Sequence, residues 1–422
     1  MNILFKNIKA VFYQDENSSL LQRLFWNTLY LAFFFLPLDI NLPTPFFMIA
    51  IVIGVVNIFK SNLKYNPKNR LLLLFPLYFI VLCLSLLYTE NLEDGFKLIQ
   101  RSLSLLLFPV IFLFLKEDAS SVRKLFNFLL YGLILSFLIN FIIVLTDAFT
   151  VLQSLPDQVS LWKKVTIGWQ FFMHRQFSSL VNPGYISLYI ILVLSFYLKK
   201  ELNSLSRLAT VLILFLYLFL LASKAAYITM FLMSFMLIYK VPDITKKYLL
   251  YVVFALGSIV FISNPRLFNS KYNFPQNVYE TNPTISWNAR LLTWTSAVNT
   301  IEKQPFIGYG VGDAHDALVN TYLDLGNSEN YEHRYNAHNQ FLETWLQTGA
   351  VGVLILTVIF TFLALSTRRS FNEFSVFLAL FLALMFESML VRFNGVVFFS
   401  IIVPLLLKER SILSSQIIRN VT

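Results

Sequence analysis

The amino-acid sequence predicts an all-α fold: a polytopic membrane helix bundle of about 12 transmembrane helices with a large helical loop on its outer side. Three observations predict it. The chain is 57% hydrophobic and only 13% charged, with a mean hydropathy of +0.66. Apolar runs of roughly 18 residues, the length that crosses a ~30 Å hydrocarbon core, recur along its length. Lysine and arginine segregate between alternate connections, as they do in proteins that thread a membrane repeatedly.

The runs lie near 24–41, 43–59, 71–88, 98–115, 125–147, 181–198, 208–222, 224–239, 248–262, 341–365, 371–391 and 393–407. Each is expected to be helical, because a helix satisfies its backbone donors and acceptors without water. The first run is followed by others and lacks a small-residue cleavage site, so it reads as a span and not a removable leader. Twenty-one Lys and Arg residues fall in the termini and short connections of one side, from Lys6 and Lys9 to Arg410 and Arg419. The short connections of the opposite side hold Lys97, Arg101, Lys224 and Arg392. The expected orientation therefore puts both termini in the cytoplasm. The net charge of +10 reflects that bias and gives no sign of a nucleic-acid partner. The single cysteine, Cys83, excludes an intramolecular disulfide and a thiolate metal cluster.

Two connections are longer than turns, and both fall on the outer side. The first runs over about 148–180 and the second over 263–340. Long connections in a compact bundle usually carry function. The chain thus divides into an N-terminal bundle (1–262), a loop expected to hold the active-site residues (263–340), and three further spans with a cytoplasmic tail (341–422). Within the loop, Trp287, Leu291, Trp294 and Val298 recur at helical spacing, which predicts an amphipathic helix on the membrane surface or over the bundle. Pro305 should end it. Gly308, Gly310 and Gly312 then alternate with larger residues. Without a preceding strand and a βαβ setting this is no dinucleotide site. Either the glycines let backbone N–H groups approach an anion, or they form a tight turn back to the bundle.

Three stretches, "NARLLTWTSAVNTI", "PFIGYGVGD" and "HNQFLETWLQTGAVGVL", are similar in content and order to the signature of the O-antigen ligase and polymerase family of bacterial membrane glycosyltransferases. The tail "ESMLVRFNGVVFFS" resembles branches of the same family. The resemblance implies a helix-rich, GT-C-like, metal-independent enzyme without a cofactor. Its donor would be a glycan on undecaprenyl pyrophosphate, and its acceptor the lipid A core or another lipid-linked glycan. Membrane lipids surround the site, which would lie at the periplasmic face of the bacterial inner membrane. It further implies a catalytic pair, Arg290 and His338. A family arginine between the seventh and eighth spans falls on Lys224, within "LASKAAYITM", where the charge is kept but the planar fork that suits phosphate is lost.

Inverting displacement at an anomeric carbon needs a base for the attacking hydroxyl and fixed positive charge for the departing diphosphate. An imidazole such as that of His338 suits the first task. Arg290 and Lys224 suit the second. Among the residues expected to line the substrates, Asn339 could orient the imidazole or cap the tenth span, and Glu343 could be a partner or an ordinary first-turn acid. His174 and Arg175, at the end of the first outer loop, are candidates for the acceptor side. Glu387 is a costly charge near hydrocarbon that could pair with Lys224, Arg392 or a substrate amine. His315 and His333 stand near several carboxylates, but without the spacing of a metal site. The expected function is transfer of a finished glycan to lipid A core (ligase). The alternatives are extension of a lipid-linked glycan (polymerase) and transport of such a lipid. Transport would call for internal repeats and polar groups at mid-membrane depth, which the sequence lacks.

Overall fold

The computed structural model describes residues 12–13, 18–39, 41–115, 120–156, 159–197, 205–223, 226–231, 283–368 and 370–408. The expected spans near 224–239 and 248–262, Lys224 and the first part of the second loop lie outside the described residues. All regular structure among the described residues is helical. The N-terminal elements are α1 (Leu20–Phe35), α2 (Pro43–Lys60), α3 (Leu74–Leu84), α4 (Leu92–Ser102), α5 (Ser104–Phe114) and α6 (Ser121–Ser154). They are followed by α7 (Leu161–Gln170), α8 (His174–Phe177), α9 (Pro183–Tyr197) and α10 (Leu205–Leu221). The later elements are α11 (Pro283–Lys303), α12 (Ala314–Asp324), α13 (Ser328–Glu332), α14 (Gln340–Thr367), α15 (Phe371–Phe386) and α16 (Phe393–Leu407).

Among the described residues, five stretches are long and apolar enough to cross a membrane: Pro43–Lys60, Pro67–Tyr88, Leu92–Phe114, Ser121–Ser154 and Gln340–Thr367. Shorter apolar helices cover Pro183–Phe196, Ala209–Leu221, Glu373–Phe386 and Phe393–Leu407. The chain is a multi-pass membrane protein. At 34 residues and about 1.5 Å per residue, α6 outruns a ~30 Å core by several turns, so the start of the expected first outer loop is helix.

Packing follows the apolar runs. α1 lies against α2 and α6, α3 against α5 and α14, α9 against α15, and α5 against α16. Aromatic side chains fill these seams. Trp26 stacks on Phe112 with centroids 5.9 Å apart, and Phe360 stacks on Phe399 at 5.8 Å. The helix α16 is buried from Asn394 to Leu407.

The second loop builds a small cap with its own core. Ala297, Ile301, Ala314, Leu318, Val319, Tyr322, Ala337 and Leu346 form one buried cluster, with Tyr309, Leu342 and Trp345 packed around it. The face that α11 buries is made of small residues, and two positions of its apolar spacing stay outside. Leu291 is 56% exposed and Val298 43%, whereas Thr293, Ser296, Ala297 and Thr300 are buried. Small polar residues let the helices approach closely and bond across the gap, as they do between helices in lipid. Thr300 Oγ1 donates to Thr321 Oγ1 at 2.7 Å, Asn330 Nδ2 to Thr293 Oγ1 at 3.1 Å, and Asn327 Nδ2 to Ser296 Oγ at 3.3 Å. Leu291 and Val298 of the apolar stripe face outward, as an interfacial helix requires.

One break in a helix locks the cap to the bundle. Inside α14, Gly349 adopts φ 63°, ψ −158°, and the helix kinks. Such a break strands backbone groups that need new partners. The glycine loop after α11 supplies them. Tyr309 N donates to Leu346 O at 2.7 Å and Gly310 N to Gln347 O at 3.0 Å, while Ala350 N donates to Pro305 O at 3.0 Å. A Cβ on Gly349 would meet Phe306 O at 2.1 Å, so the backbones touch where only glycine fits. After the break, Ala350–Thr367 is about 27 Å long at 1.5 Å per residue, close to a full crossing.

Candidate functional site

The site forms where the cap meets the ends of α14, α15 and α16. His338 stands two residues before α14, in the left-handed region at φ 45°. Its conformation is held on both sides: His338 N donates to Asn336 Oδ1 at 3.1 Å, and Trp294 Nε1 of α11 donates to His338 O at 3.4 Å. Held backbone strain of this kind clusters at functional positions. Asn339 is the N-cap of α14, its Oδ1 accepting from Phe341 N and Leu342 N. Capping is therefore its structural task.

Glu387 brings the two leading candidates together. It follows the last residue of α15 and accepts from His338 Nδ1 at 3.2 Å through Oε2 and from Arg290 at 3.4 Å through Oε1. All three side chains remain reachable: His338 is 25% exposed, Arg290 22% and Glu387 44%. Burial pushes the Glu387 carboxyl up, but the hydrogen bond from His338 and the charges of His338, Arg290 and Arg392 outweigh it. The net direction is below the ordinary carboxylate value. An ionised carboxylate only accepts, so the Nδ1 that faces it carries a proton, and Nε2 is the ring nitrogen turned away from Glu387. Sequence reasoning had weighed Glu387 as a partner for Lys224, Arg392 or a substrate amine. Among the described residues the structure pairs it with His338 and Arg290, with Arg392 acting on it through its charge.

Glu343 does not touch the imidazole. It is 4% exposed and fully engaged. Its Oε2 accepts from Ala337 N at 3.0 Å and Ser388 Oγ at 3.4 Å, and its Oε1 accepts from Gln347 Nε2 at 3.3 Å. One carboxylate thus grips the residue before His338 and the residue after Glu387, fixing the two against each other. Gln340 adds a second tie: its Oε1 accepts from Leu390 N at 2.6 Å. Glu343 positions the site from behind.

The glycines also serve packing. The N–H groups of Gly308, Tyr309, Gly310 and Val311 all donate within the protein, to Gln304 O, Leu346 O, Gln347 O and Ser85 Oγ. A Cβ on Gly310 would meet Thr89 Oγ1 at 2.1 Å, and one on Gly312 would meet Asn91 O at 2.0 Å. Asp313 closes the joint, accepting from Glu90 N at 2.7 Å and Asn91 N at 2.8 Å. Of the two roles open to the glycines, the structure displays the tight return to the bundle. Asp316 is likewise committed, to Arg334.

His174 and Arg175 occupy the short α8. His174 has φ 55°, and its Nδ1 lies 3.0 Å from Leu221 O at the end of α10, so its ring buttresses the turn before Lys224. Arg175 is exposed. It acts on Tyr335, whose phenol is pushed up by burial and by Glu329 and drawn back by Arg175. The Tyr335 ring lies 5.7 Å from that of His338. Arg175 therefore flanks the site, and His174 stands behind it.

A model of the O-antigen ligase family matches residues 209–357. The match holds Arg290, the glycine loop, His338 and Glu343, and ends before Glu387. An uncharacterised protein of Haemophilus influenzae is 23% identical over 341 residues, 72% of this chain and 75% of the relative. The ComP-specific O-oligosaccharyltransferase of Acinetobacter baylyi is 25% identical over 344 residues, 74% of this chain and 62% of that protein. The matched family and the relative named an oligosaccharyltransferase make this chain similar to membrane glycosyltransferases. Within that class, this chain carries an O-antigen ligase family domain.

Proposed function

We propose that this protein is an O-antigen ligase-type glycosyltransferase. It moves a glycan from undecaprenyl pyrophosphate to a hydroxyl of the lipid A core, at the periplasmic face, by a displacement that needs no metal. The observation that carries the proposal is the linkage His338–Glu387–Arg290 at the mouth of the cap. The acceptor oxygen attacks the anomeric carbon while its proton passes to His338 Nε2. The bond from that carbon to the phosphate oxygen breaks, and its electron pair leaves with undecaprenyl diphosphate. Glu387 holds the imidazole tautomer and stabilises the imidazolium. Arg290, held to Glu387 by one long contact, is free to turn its remaining donors to the leaving diphosphate.

One observation favours a second acceptor. The Acinetobacter relative is named an O-oligosaccharyltransferase specific for ComP, so the same donor chemistry in this chain could serve a hydroxyl outside the core sugar. Surface-glycan gels of a deletion strain decide between them. Loss of the ligated ladder with accumulation of lipid-linked polymer supports the ligase. A single-repeat band means polymerase, and an unchanged ladder means an acceptor other than lipid A core. Purified protein should keep full turnover in excess chelator.

A further inference from the structure

Of the two carboxylates in the cluster, Glu343 is buried and taken up by Ala337 N, Ser388 and Gln347, so Glu387 alone faces the positive groups. Arg290 and His338 take both of its oxygens. Arg392 lies within electrostatic range of Glu387 and of Tyr185 on α9. Its side chain is exposed and makes no hydrogen bond or ion pair among the described residues. Arg392 is also the N-cap of α16, where the helix dipole favours an anion and disfavours a guanidinium. Two arginines against one accessible carboxylate, at the end of apolar helices, are costly without a further anion.

The backbone that presents Arg392 is firmly set. Arg392 N donates to Met389 O at 3.2 Å, and Leu390 N is held by Gln340. A Cβ on Gly395 would meet Met389 O at 2.2 Å, so the turn Met389–Val391 lies flat on the first turn of α16. The tie from Gln340 joins this turn to the start of α14, and so to His338. A planar five-donor fork on a fixed base suits phosphate oxygens.

Resting on the donor assignment above, we propose that Arg392 binds the diphosphate of the lipid-linked donor together with Arg290, and that their shared neighbour Glu387 stays with His338. A diphosphate diester carries two negative charges, which matches the two guanidinium groups. The phosphate of ordinary phospholipid is the competing source of the same chemistry.

The test uses the full chain in nanodiscs of phosphatidylcholine, alone or with phosphatidylglycerol. Affinities for a polyprenyl diphosphate, the monophosphate and the polyprenol are measured for wild type, Arg392→Ala and Arg392→Lys. Arg392→Ala should weaken diphosphate binding roughly 10- to 100-fold, in both lipid mixtures, and leave polyprenol binding unchanged. Arg392→Lys should fall between. Equal diphosphate affinity in wild type and Arg392→Ala overturns the proposal. So does an equal loss for all three lipids, or a loss confined to discs with phosphatidylglycerol. A wild type that binds diphosphate no better than polyprenol instead removes the donor assignment, and the role of Arg392 falls with it.

Discussion

Glu387 accepts at once from the proposed base, His338, and the proposed clamp, Arg290, and the two contacts ask for different tests. Its bond to His338 fixes the tautomer. In Glu387→Gln an amide N–H can donate to Nδ1, which moves the ring proton to Nε2 and leaves no base facing the acceptor. The expected loss is about 10²- to 10⁴-fold in single-turnover rate. A near-normal rate in this variant would show that the carboxylate does not set the tautomer. The charge of Glu387 also bears on stability. Its folded carboxyl titrates below the ordinary value of about 4.3, so ionisation favours the folded state at every pH above that value. The benefit fades as pH falls through the lower, folded value. The gap in melting temperature between wild type and Glu387→Gln should be constant near neutrality and shrink in acid; a gap that widens in acid would reverse the assigned sign. His338 and Arg290 were legible in the sequence because each sits in a recognisable stretch. Their junction was not, since Glu387 is 49 residues from His338 and 97 from Arg290. Only the folded ends of α11, α14 and α15 bring the three together.

At the scale of elements, the broken helix α14 and the glycine loop form one joint. Gly349 and Gly326 both have positive φ, but only Gly349 faces another backbone. Gly326→Ala has open space around its new methyl and should cost about 1 kcal/mol for the left-handed conformation alone. Gly349→Ala adds a collision with Phe306 O, so its cost should exceed that of Gly326→Ala several-fold, with earlier proteolysis of the cap. Equal melting temperatures for the two variants in detergent would remove the joint from the account. The sequence made the apolar runs and the helix at 283–303 legible, but not the threonine and serine face by which that helix packs. Periodicity marks where apolar residues lie, and in a membrane protein that face can meet lipid while threonine and serine make the packed seam. The break inside the run 341–365 was hidden for a related reason. "TWLQTGAVGVL" is helical by hydropathy, and the N–H donors and the carbonyl acceptor that stabilise its break come from a loop some forty residues earlier.

For the whole molecule, sidedness ties the chemistry to a compartment. The excess of Lys and Arg on one side predicts that the cap, with His338 and Glu387, faces the periplasm. With Cys83 replaced by serine, single cysteines at Glu93 and Asp324 should react with an impermeant thiol reagent added outside. Cysteines at Lys64 and Arg368 should be protected until the membrane is permeabilised. The reverse pattern would place the site in the cytoplasm and remove undecaprenyl-linked glycan at the periplasmic face as its donor.

The central claim is that the assembled site divides its labour, with His338 as the base and Arg290 as the diphosphate clamp. The measurement that reaches it most directly is single-turnover glycan transfer by purified protein in nanodiscs, with donor affinity read in parallel for wild type, His338→Ala and Arg290→Ala. His338→Ala should lose roughly 10²- to 10⁴-fold in rate and bind donor as wild type does. Arg290→Ala should lose both rate and affinity, because the diphosphate is charged before the transition state as well as in it. A His338→Ala enzyme that turns over at near the wild-type rate would contradict the account and leave His338 a strained residue ahead of a helix cap.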